Sequence, residues 1–212
     1  MSNKYQDFFE KPYKEIRNVL KEQITPNSRI LDIGCNNGNL EKEIDTYGFN
    51  AFVYCLDNDS LELDKLRNEH FSNIDISVLE SDANAFLSYR KLRNIDYIIL
   101  SATLHEINTP DNQPEYLDDF FTKVNSMLSE DGKIIIADYY YHPSVSDSEV
   151  HKYMLHQIKA IHHADTRKKF VLPETLVLAA KKNGFKVDYE NELRAVKEID
   201  RRYYSFVFSK AE

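Results

Sequence analysis

The residues best placed to do chemistry lie in the run Asp32-Ile33-Gly34-Cys35-Asn36-Asn37-Gly38, which continues an apolar segment. Gly34 and Gly38 allow the backbone to approach a ligand closely, because glycine has no Cβ atom. A dinucleotide pyrophosphate site would show Gly-x-Gly-x-x-Gly, and the third glycine of that pattern is absent. Asp32, two residues before the first glycine, suits a cationic ligand better than a pyrophosphate. The run therefore predicts a ligand-binding turn at the end of a strand.

Further polar residues follow later apolar segments. Asp57 comes about 20 residues after the turn, where a carboxylate can accept hydrogen bonds from both hydroxyls of a ribose. Asp82 and His105 follow the next two apolar segments. Because ligands bind at the carboxyl ends of the strands in open α/β sheets, these residues are expected to meet at one edge.

Short apolar segments alternate with helical spacing, which predicts βαβ units and a parallel sheet with helices on both faces. The predicted strands are 29–33, 51–56, 74–79, 95–100, 133–137, 185–189 and 203–208. The last two are separated by about 13 residues, too few for a usual crossover helix, so an antiparallel pair is expected. Helices are expected over 4–22, 60–70, 115–128, 145–164 and from Pro173 to Asn183.

The turn resembles motif I of the class I S-adenosylmethionine-dependent methyltransferases, Asp/Glu-x-Gly-x-Gly-x-Gly, with Asn36 in place of the middle glycine. The segments that end at Asp57, at Asp82-Ala83 and at Ser101 are similar to the later motifs of that family. The resemblance covers roughly residues 26–140, in order. It implies an α/β fold with a Rossmann-like seven-stranded sheet, mainly parallel, with one antiparallel C-terminal strand.

The resemblance also implies S-adenosyl-L-methionine as cofactor and S-adenosyl-L-homocysteine as product. In the family, the motif I acid lies near the methionine ammonium, the acid after the second strand binds the ribose, and the Asp-Ala pair binds the adenine edge. The implied cofactor-binding residues are Asp32, Gly34, Cys35, Asn36, Gly38, Asp57, Asn58, Asp82, Ala83, Ser101 and Ala102.

His105 is the candidate catalytic base, since histidine titrates near neutral pH. The alternative is a histidine that only packs at a helix start and pairs with Glu106. Seven residues are expected to contact the acceptor: Tyr5, Phe9, Tyr13, Glu106, Tyr139, Tyr141 and His142. For the aromatic members of this set, plain core packing is the alternative.

Five histidines fall close together, namely His142, His151, His156, His162 and His163. Neither His-x3-His nor His-Glu-x2-His occurs among them, so no metal is expected.

The chain is interpreted as a single domain with four parts: an N-terminal helical lid (1–25), a cofactor-binding core (26–140), a helical insert (141–172) and a C-terminal helix with antiparallel strands (173–212). The formal charge of −8 argues against nucleic acid as the main partner. The first residues lack the apolar core of a signal peptide and no apolar run is long enough to span a bilayer, so a cytoplasmic protein without membrane contact is expected.

A small-molecule methyl acceptor, methylated at O, N or C, is the leading hypothesis for function. Two alternatives stay open: a protein or RNA acceptor, and a catalytically silent S-adenosylmethionine-binding module.

Overall fold

The computed structural model describes residues 4–89, 92–109, 112–149, 170–196 and 200–211, without the side chains of residues 4–10, 195 and 196. Its centre is a seven-stranded sheet in the order β3-β2-β1-β4-β5-β7-β6. The strands are β1 (Arg29–Ile33), β2 (Ala51–Asp57), β3 (Ile74–Glu80), β4 (Ile95–Ser101), β5 (Leu128–Tyr141), β6 (Phe185–Val196) and β7 (Arg201–Lys210). Strands β1 to β5 pair in parallel, and β7 runs antiparallel to both of its neighbours, β5 and β6. The predicted fold class is confirmed.

One helix precedes the first strand, and the others lie between strands along the chain. The helices are α1 (Lys4–Gln23), α2 (Asn39–Asp45), α3 (Ser60–Arg67), α4 (Ala83–Tyr89), α5 (Leu104–Ile107), α6 (Gln113–Met127) and α7 (Pro173–Lys182). In the described part of the chain, every helix is too short or too polar to cross a membrane.

The C-terminal pair of strands is antiparallel, as predicted, but the expected connection of about 13 residues is wrong. Strand β6 continues to Val196 and β7 begins at Arg201, so residues 197–200 form the whole connection. Residues 190–194 are mostly polar, so the apolar pattern from which the strand was predicted stops at residue 189. Since β6 is the edge strand of the sheet, charged side chains fit its outer positions.

Strand β5 is also longer than the predicted 133–137. Leu128 pairs with Ile95 and Lys133 with Tyr97, so residues 129–132, which precede the predicted strand, form an irregularity within the observed one. Gly132 is required there, because a Cβ atom would lie 2.8 Å from the carbonyl oxygen of Ile95. At the other end the strand includes Tyr139, Tyr140 and Tyr141, all of which are buried.

The C-terminal half of α1 belongs to the core. Ile16, Val19 and Leu20 are each at most 3% exposed. The carboxylate of Glu15 accepts hydrogen bonds from Tyr189 Oη at 2.7 Å and Ser205 Oγ at 3.0 Å, which ties the helix to β6 and β7. A lid role is therefore proposed only for the part of α1 that precedes these contacts. Most of the predicted helix 145–164 lies outside the described residues.

Candidate active site

The parallel register brings the carboxyl ends of three strands to one edge of the sheet. Ile33, the last residue of β1, pairs with Leu56 of β2 on one side and with Leu100 of β4 on the other. The loops that follow these strands therefore begin side by side, and they contain most of the residues singled out in the sequence.

The glycine turn between β1 and α2 depends on left-handed backbone conformations. Gly34, Asn36 and Gly38 have φ values of 84°, 50° and 82°, a region that glycine and asparagine adopt most easily. The Gly34 amide donates to the carbonyl oxygen of Leu56 at 2.7 Å, which fastens the turn to β2. Cys35, within the turn, is buried.

Gly34 also lies against a residue that sequence reasoning missed. A Cβ atom at this position would lie 2.2 Å from Thr103 Oγ1 and 2.6 Å from Thr103 Cγ2. The glycine turn and the β4–α5 loop therefore fit together only because position 34 has no side chain.

Asp57 joins the glycine turn to the loop after β2. One carboxylate oxygen accepts from the Asn36 amide at 2.8 Å, and the other accepts from the Asp59 amide at 2.9 Å. Since each carboxylate oxygen can accept two hydrogen bonds, each keeps room for a further donor. The position suits the predicted contact with ribose hydroxyls.

The next predicted group lies where β3 ends. Asp82 is exposed and its carboxylate accepts from the Ala85 amide at 2.9 Å, so it caps the first turn of α4. Ala83, the first residue of α4, is buried, whereas Asn58, which follows β2, is exposed. The capping bond uses one lone pair of Asp82, and its contact with adenine stays a prediction.

The loop after β4 makes an abrupt turn. Ala102, which follows Ser101, has a φ of 54°, unusual for a residue with a side chain. Its amide donates to the carbonyl oxygen of Ala137 at 2.8 Å. This bond ties the loop to β5, so that His105 comes to lie beside the end of that strand.

His105 forms a buried pair with Asp138. Its Nδ1 atom lies 2.7 Å from Asp138 Oδ1, and its backbone amide donates to Oδ2 at 2.9 Å. Its Nε2 atom lies 3.3 Å from Glu106 Oε1, and Phe170 stacks on the ring with centroids 4.9 Å apart. Asp138 was missed in the sequence analysis, although it follows the apolar run 133–137 just as Asp57 follows the apolar run 51–56.

The surroundings of His105 favour its protonated form. Burial lowers the pKa of the imidazole, but the charge of Asp138 and its hydrogen bond, with a further contribution from Glu106, raise it to about 10. Because the pKa of His105 in the folded protein lies above its ordinary value, the contribution of the pair to folding stability is fully present below about pH 6.5. That contribution is lost as the pH rises through the folded pKa.

An aromatic group extends from this pair along β5 and β7. The Arg201 guanidinium carbon lies 4.3 Å from the ring centroid of Tyr139 and 5.5 Å from that of Tyr141. Phe170 packs edge-on against Tyr141, with centroids 5.2 Å apart. Phe170 and Arg201 were not predicted, since each reaches this place from a distant part of the chain.

The remaining predicted acceptor residues are more scattered. Tyr13 is half-buried beneath the guanidinium of Arg17, and the His142 Nδ1 atom lies 2.8 Å from Ser144 Oγ. The side chains of Tyr5 and Phe9 lie outside the described part of the structure, as do His151, His156, His162 and His163. Within the described part, no three His, Cys, Asp or Glu side chains are arranged to hold a metal ion.

Comparison with known proteins points to one family. A family model described as a methyltransferase domain matches residues 5–190. A search of curated proteins finds no significant match.

Solved structures share the fold at low sequence identity. An S-adenosylmethionine-dependent methyltransferase from Methanosarcina mazei is 15% identical, with a TM-score of 0.63 over 91% of this chain and 97% of that one. A cyclopropane synthase from Mycobacterium tuberculosis is 12% identical, with a TM-score of 0.66 over 92% and 83%. A phosphoethanolamine N-methyltransferase from Haemonchus contortus, in complex with S-adenosylhomocysteine, is 16% identical, with a TM-score of 0.66 over 94% and 53%.

The contact between Gly34 and Thr103 leads to a prediction about stability. Gly34→Ala should destabilise the fold by roughly 1–3 kcal/mol more than Gly48→Ala, because overpacking adds to backbone strain. Gly48 is the matched control, since its φ is 74° but no atom lies within 4 Å of an added Cβ. The measurement is urea denaturation of both variants. Equal losses of unfolding free energy in the two variants would show that the Thr103 side chain moves aside without cost.

Proposed function

The chain belongs to a family of methyltransferase-domain proteins, and on that premise we propose that it transfers a methyl group from S-adenosylmethionine to an oxygen, nitrogen or carbon atom of a small-molecule acceptor. The observation that carries this proposal is the buried pair of His105 and Asp138 beside the glycine turn. It lies at the sheet edge where both substrates are expected to meet.

The residues of the glycine turn fit the donor. Gly34 allows the turn to pack directly against Thr103 of the β4–α5 loop, because a Cβ atom at this position would clash with that side chain. Asp57 keeps acceptor capacity for the ribose hydroxyls, and Asp32 contributes a carboxylate near the end of β1. S-adenosylmethionine supplies an already activated methyl group, so the remaining tasks of the protein are to position the acceptor and to exclude water.

We assign the proton-accepting role to His105. The Asp138 carboxylate fixes the proton on Nδ1, so the lone pair of the neutral ring lies on Nε2. Asp138 also stabilises the imidazolium that forms when Nε2 takes a proton from the acceptor, as a buried carboxylate does for a catalytic histidine. Nε2 lies beside the half-exposed Glu106, which supports a role for Glu106 in contacting the incoming acceptor.

Burial of the pair favours a small acceptor. His105 is 7% exposed, and Phe170 covers one face of its ring. The neighbouring side chains of Tyr139 and Tyr141 are also buried, so a large rigid substrate would have to displace packed aromatic rings. The neighbour from Haemonchus contortus is named for a small molecule, phosphoethanolamine, which supports the class without identifying the acceptor.

The substrate class is tested with a labelled methyl group. The protein, supplied with methyl-labelled S-adenosylmethionine, should transfer label to a small-molecule fraction of a cell extract and not to protein or RNA fractions. Label confined to protein or RNA would favour a macromolecular acceptor. Binding of the donor without transfer to any fraction would favour a silent binding module.

His105→Ala should lower turnover by about 10²–10⁴ while leaving affinity for S-adenosylhomocysteine near normal, because the base acts only on the acceptor. In the unsubstituted enzyme, turnover should rise with pH towards about 10, because only the neutral ring accepts a proton. Asp138→Asn should shift this profile to lower pH, since the charge that raises the pKa of His105 is removed. The exposed His70 offers the control His70→Ala. Turnover of His105→Ala within about threefold of the parent would refute the role.

A further inference from the structure

Two acidic side chains lie buried beneath the glycine turn. Asp32 and Glu41 are 2% and 0% exposed. None of their four carboxylate oxygens accepts a hydrogen bond of good geometry, and the Cys55 thiol acts on Glu41 only as a weak donor. Asp32 is the penultimate residue of β1 and Glu41 lies in the first turn of α2, so the pair spans the two ends of the turn that Gly34 and Gly38 form.

A pair of this kind favours the binding of one proton. Ionised carboxylates only accept hydrogen bonds, and two of them in a dry interior repel each other. A single proton between them converts this repulsion into an O–H···O bond. Burial, together with the neighbouring Glu41, raises the pKa of Asp32 well above its ordinary value, and burial raises that of Glu41.

The groups around the pair are mostly neutral or negative. Cys35 in the turn, Cys55 and Asp57 on β2, and Tyr13 on α1 all interact with it electrostatically. Lys42 acts on Glu41 from the same helix. However, the Lys42 ammonium lies 2.8 Å from Glu69 Oε1, where it forms a surface ion pair. A second positive charge near the turn would therefore meet a site rich in negative charge.

We propose that Asp32 and Glu41 share one proton in the ligand-free protein and release it to solvent when the α-ammonium group of the donor reaches the glycine turn. Glu41 is then a positioning residue that sets how donor affinity depends on pH. A cation within a few ångströms of a carboxylate favours its ionised form, and low polarity strengthens that effect. This inference rests on the proposed use of S-adenosylmethionine.

Two ligands and one substitution separate this proposal from a purely structural role. S-adenosylhomocysteine carries the α-ammonium group, whereas 5′-methylthioadenosine has the same nucleoside without it. Calorimetric titrations of both ligands between about pH 5.5 and 7.5 keep that ammonium group charged. Repeating them in buffers of different ionisation enthalpy counts the protons released.

Affinity for S-adenosylhomocysteine should rise with pH, at up to about tenfold per unit, with release of at most one proton. Affinity for 5′-methylthioadenosine should stay nearly flat. In Glu41→Gln, the neighbour that raises the pKa of Asp32 is neutral, so the slope for S-adenosylhomocysteine should flatten too. Glu41→Leu provides a second neutral variant. Glu43→Gln is the matched control, since Glu43 lies in the same helix but pairs with Arg17 at 3.4 Å.

Parallel pH slopes for the two ligands would overturn this inference and leave the proposed function standing, as would an unchanged slope in both Glu41 variants. A folded protein that binds neither ligand at any pH would overturn the proposed function, and this inference with it.

Discussion

Parallel hydrogen bonding of β1 to both β2 and β4 is the constraint on which the rest of the site depends. It sets Ile33, Leu56 and Leu100 at one level, so the three following loops begin together. Only then can the Gly34 amide reach Leu56 and the Asn36 amide reach Asp57. A slip of one residue in either pairing would turn every side chain of the strand to the other face and separate these groups.

Buried carboxylates lie at the same edge of the sheet, and they differ in the groups that surround them. The negative charge of Asp138 is balanced by the protonated ring of His105. Its carboxylate also accepts hydrogen bonds from the backbone amides of His105 and Tyr139. Asp32 interacts with Glu41, another acid, and its carboxylate accepts no hydrogen bond of good geometry. The first arrangement is complete within the chain and stabilises the fold. The second is incomplete, and a positive ligand would complete it. This contrast explains why we assign His105 to the acceptor and the acid pair to the donor.

The positions of the parallel strands and the glycine turn could be predicted because they depend on local patterns. Apolar β-branched runs mark the parallel strands, and left-handed φ angles demand glycine or asparagine at positions 34, 36 and 38. The strand β6 was predicted too short because, as an edge strand, it carries polar residues after its apolar start. Pairs of residues that meet only in the folded chain were not predicted. Phe170 on His105, Thr103 against Gly34 and Glu41 beside Asp32 depend on three-dimensional packing that no spacing rule encodes.

The acid-led glycine turn is expected to bind a sulfur nucleoside with an amino-acid tail and not a dinucleotide. The decisive experiment is calorimetric titration of the folded protein with S-adenosylhomocysteine and, separately, with NAD. Saturable binding of one S-adenosylhomocysteine per chain is expected, with no binding of NAD. A folded protein that binds NAD, or that binds neither S-adenosylhomocysteine nor S-adenosylmethionine, would contradict this expectation.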